Sequence, residues 1–238
     1  MKAISRHALK VGGITPFTAT DYPGKLAAVI FVQGCPWRCT YCHNPHLQQR
    51  TQGSTIEWQN ILDFLKRRVG LIDAVVFSGG EPTIDPALGH AMAEIRKLGF
   101  LIGLHTACIY PQCLQQVLPY IDWIGFDIKT LPDQYDKITG IANSGDPAYA
   151  CVNMIIDQGV AHECRTTIHP TLFTDSDLLN LAQRLAGMGV KNYVLQIVRT
   201  QANSGSLLNT HVGKEYPATQ TLQKIKALFT NCDVRRVN

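Results

Sequence analysis

Short apolar runs alternate with amphipathic stretches along most of the chain. Leu26-Ala27-Ala28-Val29-Ile30-Phe31-Val32 is a continuous apolar run of the length that a buried strand takes. Ala74–Phe77, Phe100–Leu104, Trp123–Ile128, Glu163–Ile168 and Tyr193–Val198 repeat that signal. Between them, helical spacing predicts helices over Ile56–Val69, with Ser54 or Thr55 as cap, and over Pro86–Leu98, Pro111–Tyr120, Ala148–Gln158 and Asp175–Met188. A last helix is expected over Pro217–Phe229. Six strand–helix units in alternation predict an α/β fold, a parallel open sheet with right-handed crossovers and outer helices. Six units fall short of the eight that close a barrel, so the expectation is a partial (β/α)6 barrel. One domain should span residues 1–238, with a loop and helix over 200–238 covering the barrel.

Composition narrows the class. Apolar residues make up 45% of the chain and charged residues 17%, as expected of a globular protein with a well-covered sheet. A net charge of +4, from 22 basic and 18 acidic residues, is too small and scattered to point to nucleic acid. No apolar run is long enough to span a membrane. Met1–Lys10 is basic but lacks the apolar core of a signal peptide. Eight cysteines without an export signal favour a reducing cytoplasm, where clustered cysteines more often bind metal than form bridges.

Three of those cysteines carry the chemistry. Cys35, Cys39 and Cys42 follow the first strand run in C-x3-C-x2-C spacing. Three thiolates on one loop can hold three irons of a four-iron cluster and leave the fourth iron open. A zinc site is the competing reading, with His43 or His46 as fourth ligand. Further polar motifs end the other strands. Phe77-Ser78-Gly79-Gly80-Glu81-Pro82 follows the second, and its paired glycines would let a ligand approach the backbone closely. Asp127 and Lys129 end the fourth strand, Arg165 and His169 flank the fifth, and Arg199 ends the sixth. The segment Gln201–Tyr216 is a long irregular connection, read as either a solvated spacer or a docking lid.

The cysteine loop with Tyr41 before its third cysteine, followed by Gly79-Gly80-Glu81-Pro82, resembles the radical S-adenosylmethionine superfamily. Within it, Tyr41-Cys42-His43-Asn44-Pro45 and Asp21-Tyr22-Pro23-Gly24-Lys25 are similar to activases of glycyl radical enzymes, in particular those of anaerobic ribonucleoside-triphosphate reductases. The resemblance implies a [4Fe-4S] cluster on Cys35, Cys39 and Cys42, with S-adenosyl-L-methionine chelating the open iron. It implies that Tyr41 lies near the adenine and that Asn44 and Ser78 belong to the cofactor site. Gly79, Gly80 and Glu81 would hold the methionine amino group. Asp127 and Lys129 would lie near the carboxylate, and Arg165 would contact the cofactor; Arg199 stands where some activases carry His and is assigned to the same site. The implied reaction is reductive cleavage of S-adenosylmethionine, with an electron donor such as flavodoxin, and hydrogen removal from a backbone glycine of a partner enzyme.

The chain departs from that pattern after the third strand. Many activases carry Asp-Thr-Asn-Gly there, the Asp serving a monovalent cation. This chain has His105-Thr106-Ala107-Cys108. Histidine is a poor ligand for such a cation among hard oxygens, so His105 and Thr106 are expected to face the cofactor directly. No cysteine lies between Cys42 and Cys108, so a ferredoxin-like insertion is absent. Cys108, Cys113, Cys151, Cys164 and Cys232 match no cluster spacing and read as small buried apolar residues. Two other functions stay open: a radical enzyme acting on a small molecule, like the deazaguanine-forming synthases, and a non-catalytic zinc- or cluster-binding protein.

Overall fold

The computed structural model describes residues 8–51, 53–198, 212–213 and 215–236. The chain forms two compact units. The first takes in the chain up to Pro36 and Asn44–Gly125, the second Trp37–His43 and the chain from Phe126 onward.

In the first unit, β1 (Val11–Thr18) runs antiparallel to β2 (Ala27–Val32). Strand β2 pairs in parallel with β3 (Ala74–Gly79), and β3 with β4 (Leu101–Thr106). Three helices accompany them, α1 (Trp58–Lys66), α2 (Leu88–Lys97) and α3 (Pro111–Val117). Strand β2 is apolar almost throughout and buried at five of its six positions, as a strand covered on both faces must be. One face packs Tyr22, Ala27, Val29, Ala74, Val76 and Trp123 into a core cluster. Tyr22 enters that cluster from the Asp21–Lys25 turn, its ring centroid 5.2 Å from that of Trp123.

β5 (Trp123–Asp127) carries the chain from one unit into the other. The second unit holds β6 (Ala161–Ile168), β7 (Asn192–Ile197) and β8 (Asn231–Arg235), all parallel. Its helices are α4 (Tyr135–Thr139), α5 (Gly145–Asp157), α6 (Asp175–Gly187) and α7 (Thr219–Lys226). Helix α6 opens on a capping box, Thr174 and Asp177 each satisfying the other's backbone amide. Strand order follows chain order from β1 to β8. The expected parallel α/β sheet is therefore present, with its six strand runs as β2–β7.

Two strands and one short helix lie beyond the sequence reading. Strand β1 was hidden by Gly12, Gly13 and Pro16, residues that weaken a strand signal. Strand β8 alternates polar with apolar residues over only five positions. Helix α4 is a single short turn wound on from a 3-10 segment, Pro132–Gln134. Helix α1 also starts later than expected. Ser54 does not cap it, because its hydroxyl accepts the Val11 amide at 2.9 Å and donates to the Ile56 carbonyl at 2.5 Å.

Candidate active site

The cysteine loop leaves β2 and is tied at its base by its own backbone. The Gly34 amide donates to the Leu47 carbonyl at 2.8 Å and the Cys35 amide to the Gln48 carbonyl at 3.0 Å. The Gly79-Gly80-Glu81 turn packs on the same base. Gly80 donates its amide to Val32, and Glu81 donates its own to Gly34 at 2.8 Å. A Cβ on Gly80 would come within 2.3 Å of the Gly34 carbonyl oxygen and 2.9 Å of that of Leu47. The glycine thus lets the cysteine loop, not only a ligand, approach this backbone. Gly79 has φ +124°, in the region that only glycine enters readily.

Glu81 is fully buried. Burial pushes its carboxyl up, against the hydrogen bonds from Thr83, Ala107 and Thr106. Its oxygens accept from the Thr83 amide and hydroxyl, the Thr106 hydroxyl at 2.8 Å and the Ala107 amide at 2.8 Å. The carboxylate therefore braces the end of β3 against the end of β4. Thr106 is held in that brace, and its hydroxyl also accepts the Cys108 amide. His105, half-buried, donates from Nε2 to the Asp21 carbonyl at 2.9 Å and stands edge-on to Trp123. Asn44 and Ser78 are half-buried. Asn44 presents its carbonyl to the Leu47 amide.

In the second unit the tip of the loop docks on the end of α4. The Arg38 amide donates to the Thr139 carbonyl at 2.9 Å and the Thr40 amide to the Ile138 carbonyl at 3.3 Å. Trp37 meets Tyr135 edge-on. Cys39 and Cys42 are linked by a turn, the Cys42 amide donating to the Cys39 carbonyl at 3.1 Å. Burial pushes the Cys39 thiol up, while Lys129 pulls it down. Lys129 is buried. It donates to Asp127 Oδ2 at 3.0 Å, and its Nζ lies 5.5 Å from the Tyr41 ring centroid. Burial alone would lower the Lys129 ammonium, but Asp127, Tyr41 and Cys39 outweigh it and hold the ammonium well above its ordinary range. Tyr41 is buried, and burial raises its phenol; the hydroxyl has no hydrogen-bond partner among the described residues.

Each unit thus gathers a share of the expected residues. Cys35, Gly79, Gly80, Glu81 and Thr106 form one contiguous group, and Cys39, Tyr41, Cys42, Asp127 and Lys129 form another. His105 turns to Asp21, a role that the sequence did not reveal. Arg165 is buried on β6. Arg199 and most of Gln201–Tyr216 lie outside the described residues. The sequence reading also missed Glu163 and Arg235, the partners around Arg165. Glu163 was legible in principle, standing two residues from Arg165 and hence on the same face of the strand. Cys108, Cys151 and Cys164 are buried as expected, whereas Cys113 and Cys232 are only half-buried.

The donor set fits an iron–sulfur cluster. Three half-buried thiols, none in a disulfide, stand on one short loop. Among the described residues no three His, Cys, Asp or Glu side chains are grouped closely enough to hold one metal ion. The buried Tyr41 hydroxyl, unpartnered beside the Lys129 ammonium, suits a bound polar molecule.

Comparison with known proteins agrees. Residues 29–185 match the family described as the Radical SAM superfamily. A glycyl-radical enzyme activating enzyme of Methanocaldococcus jannaschii is 32% identical over 182 residues, covering 73% of this chain and 74% of that protein. The pyruvate formate-lyase-activating enzyme of Clostridium pasteurianum is 32% identical over 176 residues, covering 70% and 71%. The crystal structure of Streptococcus suis SuiB bound to S-adenosylmethionine superposes with a TM-score of 0.63 at 14% identity. That likeness covers 87% of this chain and 48% of SuiB, and it shows the fold. The chain belongs to the radical S-adenosylmethionine superfamily, whose members use a [4Fe-4S] cluster and S-adenosylmethionine, and within it to the glycyl-radical enzyme activating enzymes. Among the described residues no helix is long and apolar enough to cross a membrane.

Proposed function

We propose that the chain installs a glycyl radical on an anaerobic ribonucleoside-triphosphate reductase. The observation that carries the radical chemistry is the three-thiol loop packed against the Gly79-Gly80-Glu81 turn. The choice of partner rests on the likeness of Asp21–Lys25 and Tyr41–Pro45 to the activases of those reductases. Pyruvate formate-lyase is the second candidate, because the Clostridium pasteurianum relative is named for activating it.

In this reading Cys35, Cys39 and Cys42 hold the cluster through three of its irons. When bound, the cluster supplies one electron and an open iron for reductive cleavage of S-adenosylmethionine. The chain's own residues bind and orient. The backbone of Gly79-Gly80-Glu81 presents polar groups to the methionine end, and Lys129, fixed by Asp127, offers a buried positive charge to a carboxylate. Tyr41 offers a ring face and a hydroxyl to the adenine. Arg165 offers a guanidinium to the cofactor, and Asn44, Ser78 and Thr106 offer polar groups; Arg199 is assigned to the same site from its place after the sixth strand run. The buried side chains of Tyr41 and Lys129 would help keep water from a reactive radical. A cytoplasmic setting and a flavodoxin-type donor complete the reading.

Anaerobic incubation with each candidate partner tests it. The protein, S-adenosylmethionine and a reductant are expected to give a glycyl radical signal by electron paramagnetic resonance on the ribonucleotide reductase and little on pyruvate formate-lyase. The reverse pattern would reassign the partner. Cleavage of the cofactor without a radical on either enzyme would favour a small-molecule substrate.

The turn of His105 toward Asp21 carries a further expectation. Its Nε2 is spent as a donor, and an imidazole is in any case a poor ligand for potassium or sodium. Cleavage of S-adenosylmethionine should therefore proceed at similar rates in potassium and in a bulky organic cation at equal ionic strength. Strong, saturable activation by potassium would count against this arrangement.

A further inference from the structure

The polar face of β6–β8 holds a buried ion cluster. Successive residues of a strand point to opposite faces, so Glu163, Arg165 and Thr167 share one. The parallel register sets Thr167 opposite Gln196 and Gln196 opposite Arg235. Arg235 reaches from β8 to Glu163 with both terminal nitrogens, at 2.8 Å to Oε1 and 2.6 Å to Oε2. Arg165 donates its Nε to the same Oε1 at 2.7 Å. The Glu163 and Arg165 side chains are 10% and 9% exposed, so neither charge is screened by bulk water. Burial alone would raise the Glu163 carboxyl, but the Arg235 and Arg165 hydrogen bonds and charges outweigh it and hold the group below the usual range.

The geometry divides labour between the two arginines. Arg235 makes a two-pronged fork on Glu163, the strongest form of arginine–carboxylate pairing. Arg165 spends its Nε on that carboxylate, which fixes the plane of its guanidinium while Arg235 occupies the fork. Two guanidiniums against one carboxylate leave the trio with a net charge of +1. Asp233, the other carboxylate on this face of β8, is exposed. S-adenosylmethionine has one anionic group, its carboxylate, which the trio's excess positive charge would attract, although the Arg235 side chain is 38% exposed and its charge is partly screened.

We propose that Glu163 and Arg235 are positioning residues that set the Arg165 guanidinium for the cofactor. The proposal rests on Arg165 being a cofactor contact. Without Arg235, Glu163 keeps a buried charge with one partner, and Arg165 is expected to turn and close its own fork on it. Arg165 would then turn away from the cofactor.

The test uses the full chain, reconstituted anaerobically, and reads the dissociation constant of S-adenosylmethionine by equilibrium dialysis alongside iron content. Arg235→Met is expected to raise the dissociation constant about tenfold, the usual scale for losing an outer partner of a binding group, with iron unchanged. Arg235→Lys should recover part of the affinity, because a lysine keeps the charge but cannot form the fork. Arg165→Ala combined with Arg235→Met should bind no worse than Arg165→Ala alone, since both act through one guanidinium. Should Arg235→Met disturb folding, Glu163→Gln gives the same comparison. Loss of affinity in Arg165→Ala with wild-type affinity in both Arg235→Met and Glu163→Gln would overturn the clamp and leave Arg165 as a contact. Wild-type affinity in Arg165→Ala would overturn the contact itself, and the clamp with it.

Discussion

Gly80→Val is expected to strip the protein of its iron, not merely to weaken cofactor binding. A side chain at this position runs into main-chain atoms, the carbonyl oxygens of Gly34 and Leu47, at 2.3 and 2.9 Å. Backbone cannot swing aside as a flexible side chain can. The clash would push the base of the cysteine loop away from β3 and break the Glu81-to-Gly34 hydrogen bond. Overpacking a tight site costs about 1–3 kcal/mol, and the displaced segment here adjoins Cys35. Iron after anaerobic reconstitution should fall from about four per chain toward none, with the helical circular dichroism largely kept. A full complement of iron together with lost S-adenosylmethionine binding would mean that the glycine serves the ligand alone.

Alanine at Cys35, Cys39 or Cys42 should each abolish the cluster, and with it both 5′-deoxyadenosine formation and the radical on the partner. Each thiolate holds its own iron, and Cys151 and Cys232 stand on α5 and β8, outside the C-x3-C-x2-C loop. Burial pushes the Cys232 thiol up to about 11 and the Cys164 thiol well above its ordinary value, which keeps both protonated near neutral pH. Cys151 is fully buried on α5. Alanine at Cys151 or Cys232 should therefore leave iron content and activity near wild type. Iron analysis and visible absorption of the five variants decide the matter. A normal cluster in any of the first three would refute the assignment of the loop.

Much of this architecture could be read from the residues. The runs at β2, β3 and β4 are apolar because both faces of those strands are covered, and such runs stand out in a sequence. The cysteine spacing and Gly79-Gly80-Glu81 were legible because chemistry fixes their order along a few residues. What stayed hidden depends on distance in the chain. Nothing local in Asn231–Arg235 shows that Arg235 forks onto Glu163, 72 positions earlier. Glu81 looked like a ligand-facing carboxylate, and only the fold shows four hydrogen bonds reaching it from Thr83, Thr106 and Ala107. The close approach of Gly80 to Gly34 is likewise a product of β2–β3 register, which sets Val32 opposite Gly79.

The anchoring of the cysteine loop bears on how readily its cluster takes an electron. The amides of Cys35, Arg38, Thr40 and Cys42 all donate to carbonyls of the chain, those of Gln48, Thr139, Ile138 and Cys39. Amide dipoles directed at the sulfur atoms of an iron–sulfur centre favour its reduced form, and hydrogen bonding to sulfur is one of the levers that set its midpoint potential. Here four such dipoles are committed to holding the loop in shape. The Cys39 amide, by contrast, and the buried Lys129 ammonium both pull the Cys39 thiol down against burial, so they favour negative charge at that sulfur.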